Sequence, residues 1–305
     1  MLWHKTLGRS LVATTAFCAL FSVGFAQQDT VTIGFSNWSK RFVFYQELEQ
    51  GLQEAAESNN VNLLVGDPNG DQAEQQSLVE NFLTQGVDAL ILIPIDSQAV
   101  IPTVEAANEA GVPVITVDIA AEGGDVVSHI ASDNCLGGRL AAQRMNEALN
   151  GEGKVALITY PVISATIQRE ECFVEEIGNF PGIEIVATQS GQSDRAQALS
   201  VTEDLLTQHS DLSGIFAVND MMGLGALAAV QGAGKEDQVS IIGFDVEPEA
   251  AEAMKSGTAY KGSVAQQPQL LGQMALEMAL KHLRGEEVPA DIPVEVTMVT
   301  PENVQ

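Results

Sequence analysis

The chain has 305 residues, of which 45 % are hydrophobic and 18 % are charged, and its formal net charge is −27 at pH 7. This length and apolar content are enough for one large or two medium-sized cores, since domains usually contain about 100 to 200 residues. The strong negative charge excludes nucleic acid as the partner and disfavours an anionic membrane surface, because both attract basic residues.

The first 26 residues have the three parts of a secretory signal peptide. Lys5 and Arg9 supply the positive start, Leu11 to Phe25 form an apolar stretch too short to span a membrane, and Ala26 ends a small-residue cleavage site. A lipid anchor at Cys18 is the weaker alternative, because the residue before it is bulky. Cleavage removes Lys5 and Arg9 and no acid, which changes the formal charge from −27 to −29. We therefore predict export to the periplasm.

After the signal, strand-length apolar runs alternate with helix-length periodic segments, which is the pattern of parallel sheets with crossover helices. The strands predicted in the first half are Val31 to Ser36, Asn62 to Gly66, Ala89 to Pro94 and Val114 to Val117. The helices predicted between them are Phe44 to Asn59, Gln72 to Gln85 and Ala99 to Ala110. These units predict a regular first α/β lobe.

The same alternation continues in the second half of the chain. The predicted helices are Gly137 to Asn150, Ala165 to Ile177, Arg195 to Gln208 and Met221 to Gly232. The predicted strands are Lys154 to Ile158, Ile183 to Thr188, Gly214 to Val218 and Val239 to Gly243. Because no Pro/Ser-rich or low-complexity tract separates the halves, we expect two lobes on a tight hinge and not on a flexible tether.

Five motifs occur in order along nearly the whole mature chain: Val126 to Asn134, Phe216 to Asp220, Gly223 to Ala226, Gly243 to Asp245 and Val264 to Pro268. Together they resemble the periplasmic ribose-binding protein family, the type I sugar-binding proteins of ABC transporters. The resemblance implies two doubly wound parallel-sheet lobes joined by a three-crossing hinge. The crossings are expected near Ala131 to Asn134, Val264 to Pro268 and Ile292 to Thr300, and helix Gln269 to Arg284 then returns to the first lobe.

The resemblance also implies the domain boundaries and the role. The expected lobes are residues 30–131 with 267–293, and residues 132–266 with 294–305, after a signal peptide at 1–26. Members of the family close two lobes around a sugar and deliver it to the membrane permease of an ABC importer, and some also signal to a chemoreceptor. We therefore expect a monomeric periplasmic protein that binds a monosaccharide or polyol, with no cofactor.

Four polar residues match ligand-binding positions of the family. Asp118 ends the fourth strand, Asn219 and Asp245 each follow a strand of the second half, and Gln266 lies on a predicted crossing. Ligands of open α/β sheets bind beyond the carboxyl ends of the strands, and carboxylates form strong hydrogen bonds with hydroxyl groups. The alternative role for such residues is helix or turn capping.

Four aromatic residues lie within eight positions of the first βα loop, in a chain that is only 5 % aromatic: Trp38, Phe42, Phe44 and Tyr45. Phe44 and Tyr45 match paired stacking aromatics of the family, and an aromatic face suits the C–H surface of a sugar. We expect Trp38, Phe44 and Tyr45 in the cleft, with at least one of the four starting the helix core. Phe42 is a weaker candidate than Trp38 or Phe44.

The sequence departs from the ribose-binding pattern at several site positions. Ile119 and Ile167 stand where the pattern has arginines, Phe42 replaces an asparagine, and Ser193 lies near an expected aromatic. Arg169 matches another arginine and either reaches the cleft or pairs with acids on its helix. Since a guanidinium carries five N–H donors, the loss of two argues against ribose held by the same contacts. Another sugar, a polyol, a cyclitol or a deoxy sugar fits better.

Cys135 and Cys172 remain after signal cleavage, an even number in an oxidising compartment. In the layout that the resemblance implies they lie on neighbouring helices, so a disulfide is one outcome and two unpaired buried thiols are the other. The sequence leaves open whether their Cα atoms come within the roughly 7 Å that a bridge requires.

Two other function classes compete with a sugar-binding protein. An enzyme is disfavoured because His129, His209 and His282 have no metal-ligand neighbour at useful spacing, and the sequence contains no HExxH motif, nucleophile elbow or P-loop. We therefore predict neither catalytic residues nor a metal site. A binding protein for an amino acid or a signalling molecule is the closer alternative, but a charged anion would find few cations in the predicted site. A purely sensory protein would use the same ligand chemistry and stays open.

Overall fold

The computed structural model describes residues 1–3 and 30–305, so the predicted signal peptide lies outside the described residues apart from its first three. The strands are β1 (Thr32–Ser36), β2 (Asn62–Gly66), β3 (Ala89–Leu92), β4 (Val114–Val117), β5 (Val126–Ser132), β6 (Gly153–Thr159), β7 (Ile183–Ser190), β8 (Leu212–Ala217), β9 (Ser240–Phe244), β10 (Tyr260–Ala265), β11 (Asp291–Val294) and β12 (Thr297–Val299). The helices are α1 (Val43–Ser58), α2 (Gln72–Gln85), α3 (Ile101–Glu109), α4 (Asn134–Ala148), α5 (Ser164–Ile177), α6 (Arg195–Gln208), α7 (Asp220–Gly232), α8 (Pro248–Lys255) and α9 (Pro268–Leu283).

The strands form two separate six-stranded sheets. The first has the order β11-β5-β4-β3-β1-β2 with parallel neighbours, and the second has the order β12-β10-β9-β8-β6-β7, in which β12 runs antiparallel. The strand order reverses between β3 and β1 in one sheet and between β8 and β6 in the other. Ligands of doubly wound sheets bind beside such reversals, beyond the carboxyl ends of the strands. The fold class predicted from the sequence is confirmed.

Most helices and strands occupy the predicted segments, and α2, α6, β2 and β4 begin and end at the predicted residues. The sequence reading missed α8, which is too short to show a clear period. The signs of this helix are a proline in its first turn, Pro248, and three apolar residues that the structure buries, Ala250, Ala253 and Met254. The predicted third crossing contains β11 and β12, each of which extends a different sheet.

Three short segments connect the two sheets: β5 leads to α4, β10 leads to α9, and β11 leads to β12. They are hydrogen bonded to one another, since Asp133 N donates to Val294 O at 2.8 Å and Gln267 Nε2 donates to Glu295 O at 2.9 Å. The Asp133 carboxylate also accepts from Leu136 N, which caps α4 and starts it three residues before the predicted position. These mutual bonds suit a hinge with a defined axis.

Each sheet has its own hydrophobic core, and helices cover both of its faces. On one face of the first sheet, α1 and α9 touch backbone to backbone. A Cβ at Gly51 or Gly272 would collide with a carbonyl group of the opposite helix, so glycine is required at both positions. Among the described residues, no helix has the length and apolar character needed to cross a membrane.

The core of the second lobe contains a stacked aromatic pair. The rings of Phe173 and Phe216 lie 4.3 Å apart with an interplanar angle of 7°, and both side chains are fully buried. We expect Phe173→Ala to lower the free energy of unfolding by about 3–5 kcal/mol, because it removes apolar contact and leaves a cavity. Urea unfolding followed by circular dichroism measures the change. The neighbouring Val174 is 44 % exposed, so Val174→Ala is the control and should change stability by less than about 0.5 kcal/mol.

Candidate ligand-binding site

A cleft lies between the two sheets, at the carboxyl ends of strands from both lobes. Its cavity volume is about 40 Å³, so the lobes stand close together. The cleft is lined by Trp38, Phe42, Phe44, Tyr45, Asp118, Tyr160, Ile163, Ala165, Thr166, Arg169, Ser193, Asn219, Asp245, Glu247 and Gln266.

An aromatic wall forms the first-lobe side of the cleft, built by the loop after β1 and the start of α1. The Trp38 and Tyr45 rings stack with centroids 5.8 Å apart and 18° between planes. Phe42 meets Trp38 edge to face at 5.3 Å, and Phe44 meets Tyr45 in the same way at 5.1 Å. Phe42 therefore lines the cleft together with the three aromatics that the sequence favoured. The wall offers flat apolar surface with a polar edge at Tyr45.

Asp118 follows β4 with φ +66 and is 4 % exposed. Its Oδ2 accepts a hydrogen bond from Tyr45 Oη at 3.1 Å, whereas its buried Oδ1 has no partner in the protein. Burial raises the pKa of Asp118 to about 6, against the opposing effect of Arg169, and burial also raises the pKa of Tyr45. A buried acceptor without a donor costs about 1–3 kcal/mol, so Oδ1 is a ready acceptor for a ligand.

Asp245 and Gln266 form the second polar pair of the cleft. Gln266 Nε2 donates to Asp245 Oδ1 at 2.6 Å, and Arg169 Nη1 lies 3.9 Å from the same oxygen. Burial raises the pKa of Asp245, and the nearby guanidinium partly offsets this. The buried Gln266 Oε1 has no hydrogen-bond partner, so a second acceptor is left for a ligand.

The loop that carries Asp245 has an unusual backbone, with φ +112 at Asp245 and +57 at Val246. The buried carboxylate of Asp220 stabilises it by accepting from Glu247 N at 2.8 Å and from the hydroxyl of Ser263 at 2.8 Å. Ser263 Oγ in turn accepts from Val246 N at 3.0 Å. These bonds fix the two residues after Asp245 and hence the direction of its carboxylate.

Arg169 is buried and reaches the cleft, so it does not pair with acids on its own helix. Its Nε donates to Asn134 Oδ1 at 2.8 Å, its Nη1 donates to Val218 O at 3.0 Å, and its guanidinium carbon lies 3.7 Å from the centroid of the Phe244 ring. Two of the five N–H groups are used in these bonds, so others remain for Asp245 or a ligand.

Asn219 combines the two roles considered from its sequence position. Its Oδ1 accepts from Met222 N at 3.0 Å and caps α7, and its Nδ2 donates to Ser193 Oγ at 2.7 Å inside the cleft. These two bonds fix the orientation of the Asn219 amide. Ser193 adds a further polar group to the second-lobe side of the cleft.

A closing contact joins the lobes away from the hinge; we define it as Ser97, Ala120, Val162, Ile163 and Ser164. Ser164 N donates to Ser97 Oγ at 3.0 Å, Ala120 N donates to Ser164 Oγ at 2.8 Å, and Ser97 N donates to Val162 O at 3.4 Å. Ile163, which belongs to the second lobe, is buried in the core cluster of the first lobe. The described structure is therefore a closed arrangement.

Comparison with known proteins agrees with this geometry. A family model described as a periplasmic binding protein domain matches residues 33–287. The chain belongs to the periplasmic binding protein family. Among the relatives of this periplasmic binding protein, the ribose import binding protein of Salmonella typhimurium (strain LT2) is 37 % identical over 291 residues, covering 95 % of this chain and 97 % of the relative.

Two solved structures of solute-binding proteins are similar to this periplasmic binding protein. The protein of Actinobacillus succinogenes 130z with bound D-allose has a TM-score of 0.84 at 31 % identity, covering 90 % of this chain and 99 % of that one. The protein of Bacillus halodurans C-125 with bound myo-inositol has a TM-score of 0.83 at 30 % identity, covering 90 % and 96 %. Both are solute-binding proteins of ABC transporters, and the family recognised from the sequence is confirmed.

The structure brings all eight predicted ligand-binding residues of this periplasmic binding protein to one cleft, and it adds others that the sequence reading missed. Tyr160 follows β6, and the strand-end argument applied to Asp118 could have found it. Glu247 lies two residues after Asp245, and burial together with that neighbour raises its pKa to about 7. Nothing in the sequence pattern marks Ile163 or Thr166 as a cleft residue. Ile163 contacts the opposite lobe only when the lobes are closed.

The substituted arginine positions contribute no polar group to the cleft. Ile119 is buried in the core of the first lobe, and Ile167 is half-buried on α5; neither lines the cleft. Phe42 and Ser193, the two other departures, do line it. The site therefore has fewer cationic donors than the pattern it departs from.

Two cysteines of this periplasmic binding protein are bonded to each other. Cys135 on α4 and Cys172 on α5 form a disulfide with their Cα atoms 5.1 Å apart. Within the described residues, no group of three or more potential metal ligands is found.

Proposed function

We propose that this chain is the periplasmic component of an ABC importer and that it binds a neutral monosaccharide or polyol by closing its lobes. One observation carries the proposal: the buried Asp118 Oδ1 and Gln266 Oε1 have no donor in the protein, and both residues line the cleft. A ligand that supplies donors at both sides would satisfy them at once. Hydroxyl groups do this, and each also accepts from a donor such as Arg169.

The aromatic wall supports the same ligand class. A sugar or cyclitol has C–H faces that pack on flat rings and hydroxyl edges that need hydrogen bonds. Trp38 and Tyr45 supply stacked surface on the first lobe, and the polar groups of Asp245 and Asn219 lie on the second. Contacts with both lobes favour the closed state, which is how binding becomes a signal to a transporter.

Ribose held through the family's usual contacts fits this cleft poorly. Ile119 and Ile167 provide none of the donors of the arginines they replace, so the hydroxyl pattern that is recognised differs. We infer that another sugar, a polyol, a cyclitol or a deoxy sugar is the ligand. An amino acid or another charged signalling molecule is the competing ligand, and carboxylate ligands are disfavoured by Asp118, Asp245 and Glu247 in the same cleft.

We propose lobes of residues 30–131 with 267–293 and residues 132–266 with 294–305, which divide near the three connections between the sheets. The protein would act as a periplasmic monomer after removal of residues 1–26, without catalysis, and present its closed form to a membrane permease. Delivery of the same signal to a chemoreceptor uses the same closed state.

A thermal-shift screen of residues 27–305 tests the ligand class. The panel contains D-ribose, D-allose, xylitol and myo-inositol, with L-glutamate and L-lysine as charged comparators. A ligand that binds only the folded protein raises the melting temperature in proportion to the logarithm of its concentration. We expect one neutral compound to stand out. A shift confined to the charged comparators would contradict the proposed ligand class.

Acidification should weaken binding. Burial raises the pKa of Asp118 to about 6, and only its ionised form lets Oδ1 accept from a ligand while Oδ2 accepts from Tyr45 Oη. As the pH falls through 6 the carboxyl takes up a proton, so affinity should fall by up to about tenfold per pH unit. Calorimetric titration at pH 7.5 and 5.0 measures this. Asp118→Asn does not titrate and should bind weakly with a flatter pH profile; equal affinity of the wild type at both pH values would contradict the assignment.

A further inference from the structure

The guanidinium of Arg169 is the only cation among the described residues that line the cleft. Its position depends on Asn134, whose Oδ1 accepts from Arg169 Nε at 2.8 Å. Asn134 is buried and begins α4, whereas Arg169 lies in the middle of α5. The direction of the guanidinium therefore depends on how the start of α4 is held against α5.

The disulfide lies directly beside this pair. Cys135 is the residue after Asn134, and Cys172 is three residues after Arg169, about one helical turn along α5. At Gly138 the helices approach so closely that a Cβ would collide with the carbonyl oxygen of Arg169. The covalent link and this close approach of the two backbones thus lie beside the same hydrogen bond.

Other polar links between the helices are weak. Arg139 lies 3.5 Å from Glu175, and Gln143 donates to Glu176 at 2.9 Å, but all these side chains are on the outer surface, further along both helices. Exposed pairs of this kind contribute little, because solvent screens them. At the cleft end of the helices, the disulfide is the strong connection.

We propose that the Cys135–Cys172 disulfide is a positioning element for ligand binding, which holds the Asn134–Arg169 pair so that the guanidinium points into the cleft. This inference rests on the proposed ligand-binding function. It makes affinity sensitive to reduction: a dithiol supplies two electrons and two protons, the S–S bond becomes two thiols, and the dithiol closes to its own cyclic disulfide. α4 can then shift against α5, and the Asn134–Arg169 bond lengthens.

A double-mutant cycle separates positioning from simple stabilisation. The chains are wild type, Cys135→Ser with Cys172→Ser, Arg169→Met, and the combination, each titrated with D-ribose, D-allose, xylitol and myo-inositol at a temperature where all are folded. We expect loss of the disulfide to weaken binding by about tenfold when Arg169 is present, the effect of roughly one hydrogen bond, and to change it little when Arg169 is absent. A disulfide that only stabilises the fold would lower the melting temperature in both backgrounds and leave affinity unchanged, which would overturn the proposal.

The positioning role of the disulfide can also be tested by NMR without any ligand. The Arg169 Nε–H signal in nitrogen-15 NMR reports its bond to Asn134, and Arg144, also on α4, is the matched control because its Nε donates to Lys261 O at 2.8 Å on the side away from α5. With dithiothreitol, we expect the Arg169 signal to shift and its hydrogen exchange to accelerate while the Arg144 signal stays. An unchanged Arg169 signal in the reduced protein would overturn the proposal. If none of the four compounds binds the wild type, the ligand class is wrong, and the NMR result still decides the role of the disulfide.

Discussion

Asp245→Asn should weaken binding of the sugar or polyol by about 100-fold or more. The carboxylate of Asp245 accepts from Gln266, lies 3.9 Å from Arg169 and faces the cleft. An amide has one acceptor oxygen and no charge, and its NH₂ group would face donors. Two charge-assisted hydrogen bonds of about 1.5–3 kcal/mol each are then weakened or lost. Asparagine also tolerates the positive φ at this position, so the backbone should keep its path.

The same substitution should leave the unliganded protein at least as stable as the wild type at pH 7.5. Burial raises the pKa of Asp245 in the folded chain above its unfolded value, so its contribution to stability is present at low pH and lost as the pH rises through that pKa. Ionised Asp245 therefore lowers the stability of the folded protein at pH 7.5, and replacing it with a neutral side chain removes this destabilisation. Calorimetric titration and a melting curve measure both effects. Asp204→Asn, on the exposed face of α6, is the control and should bind normally; an unaltered affinity in Asp245→Asn would remove this residue from the site.

Ile163→Asp should prevent closure while leaving each lobe folded. In the closed arrangement Ile163 of the second lobe is buried in the core of the first, and an unpaired carboxylate there costs several kcal/mol. In an open arrangement the same side chain would face water at no such cost. The closed population falls, and the apparent affinity falls with it by about 100-fold for every ligand alike. Small-angle X-ray scattering should show that a ligand concentration that compacts the wild type no longer compacts the variant.

The next residue along the chain gives a matched control for this prediction. Val162 belongs to the same closing contact through its backbone carbonyl, but its side chain is 38 % exposed. Val162→Asp adds the same charge one position away and should close and bind almost as the wild type does. If Ile163→Asp bound and compacted normally, closure would not depend on this contact.

The architecture was predictable from the sequence because periodicity and glycine, proline and capping residues act locally. α6 ends where its pattern ends, and Asp194 at its start accepts from Gln197 N, a capping bond that depends only on neighbours. α8 and β12 were not predictable, since eight and three residues are too few to show a period, and their stability comes from packing on distant elements. The pairing of β12 with β10 depends on the geometry of the hinge, and the periodicity of the sequence carries no information about that geometry.

The site was predictable only where position along a strand carries information. Asp118 and Asp245 each directly follow a strand, so each lies at the carboxyl edge of its own sheet, and both residues line the cleft between the sheets. Asp220 was absent from the predicted set, because its role is to bind the backbone after Asp245, a relation between two loops that the sequence does not reveal. Ile163 appears as an ordinary apolar residue before a helix, and its contact with the other lobe exists only after closure.

A crystal structure of residues 27–305 with the neutral compound that gives the largest thermal shift is the most direct test of the central claim. The account predicts the ligand between closed lobes, with its apolar face on Trp38 and Phe44 and its hydroxyl groups donating to Asp118 Oδ1 and Gln266 Oε1. A ligand bound outside this cleft, or bound within it without either of these two acceptors, would contradict the account.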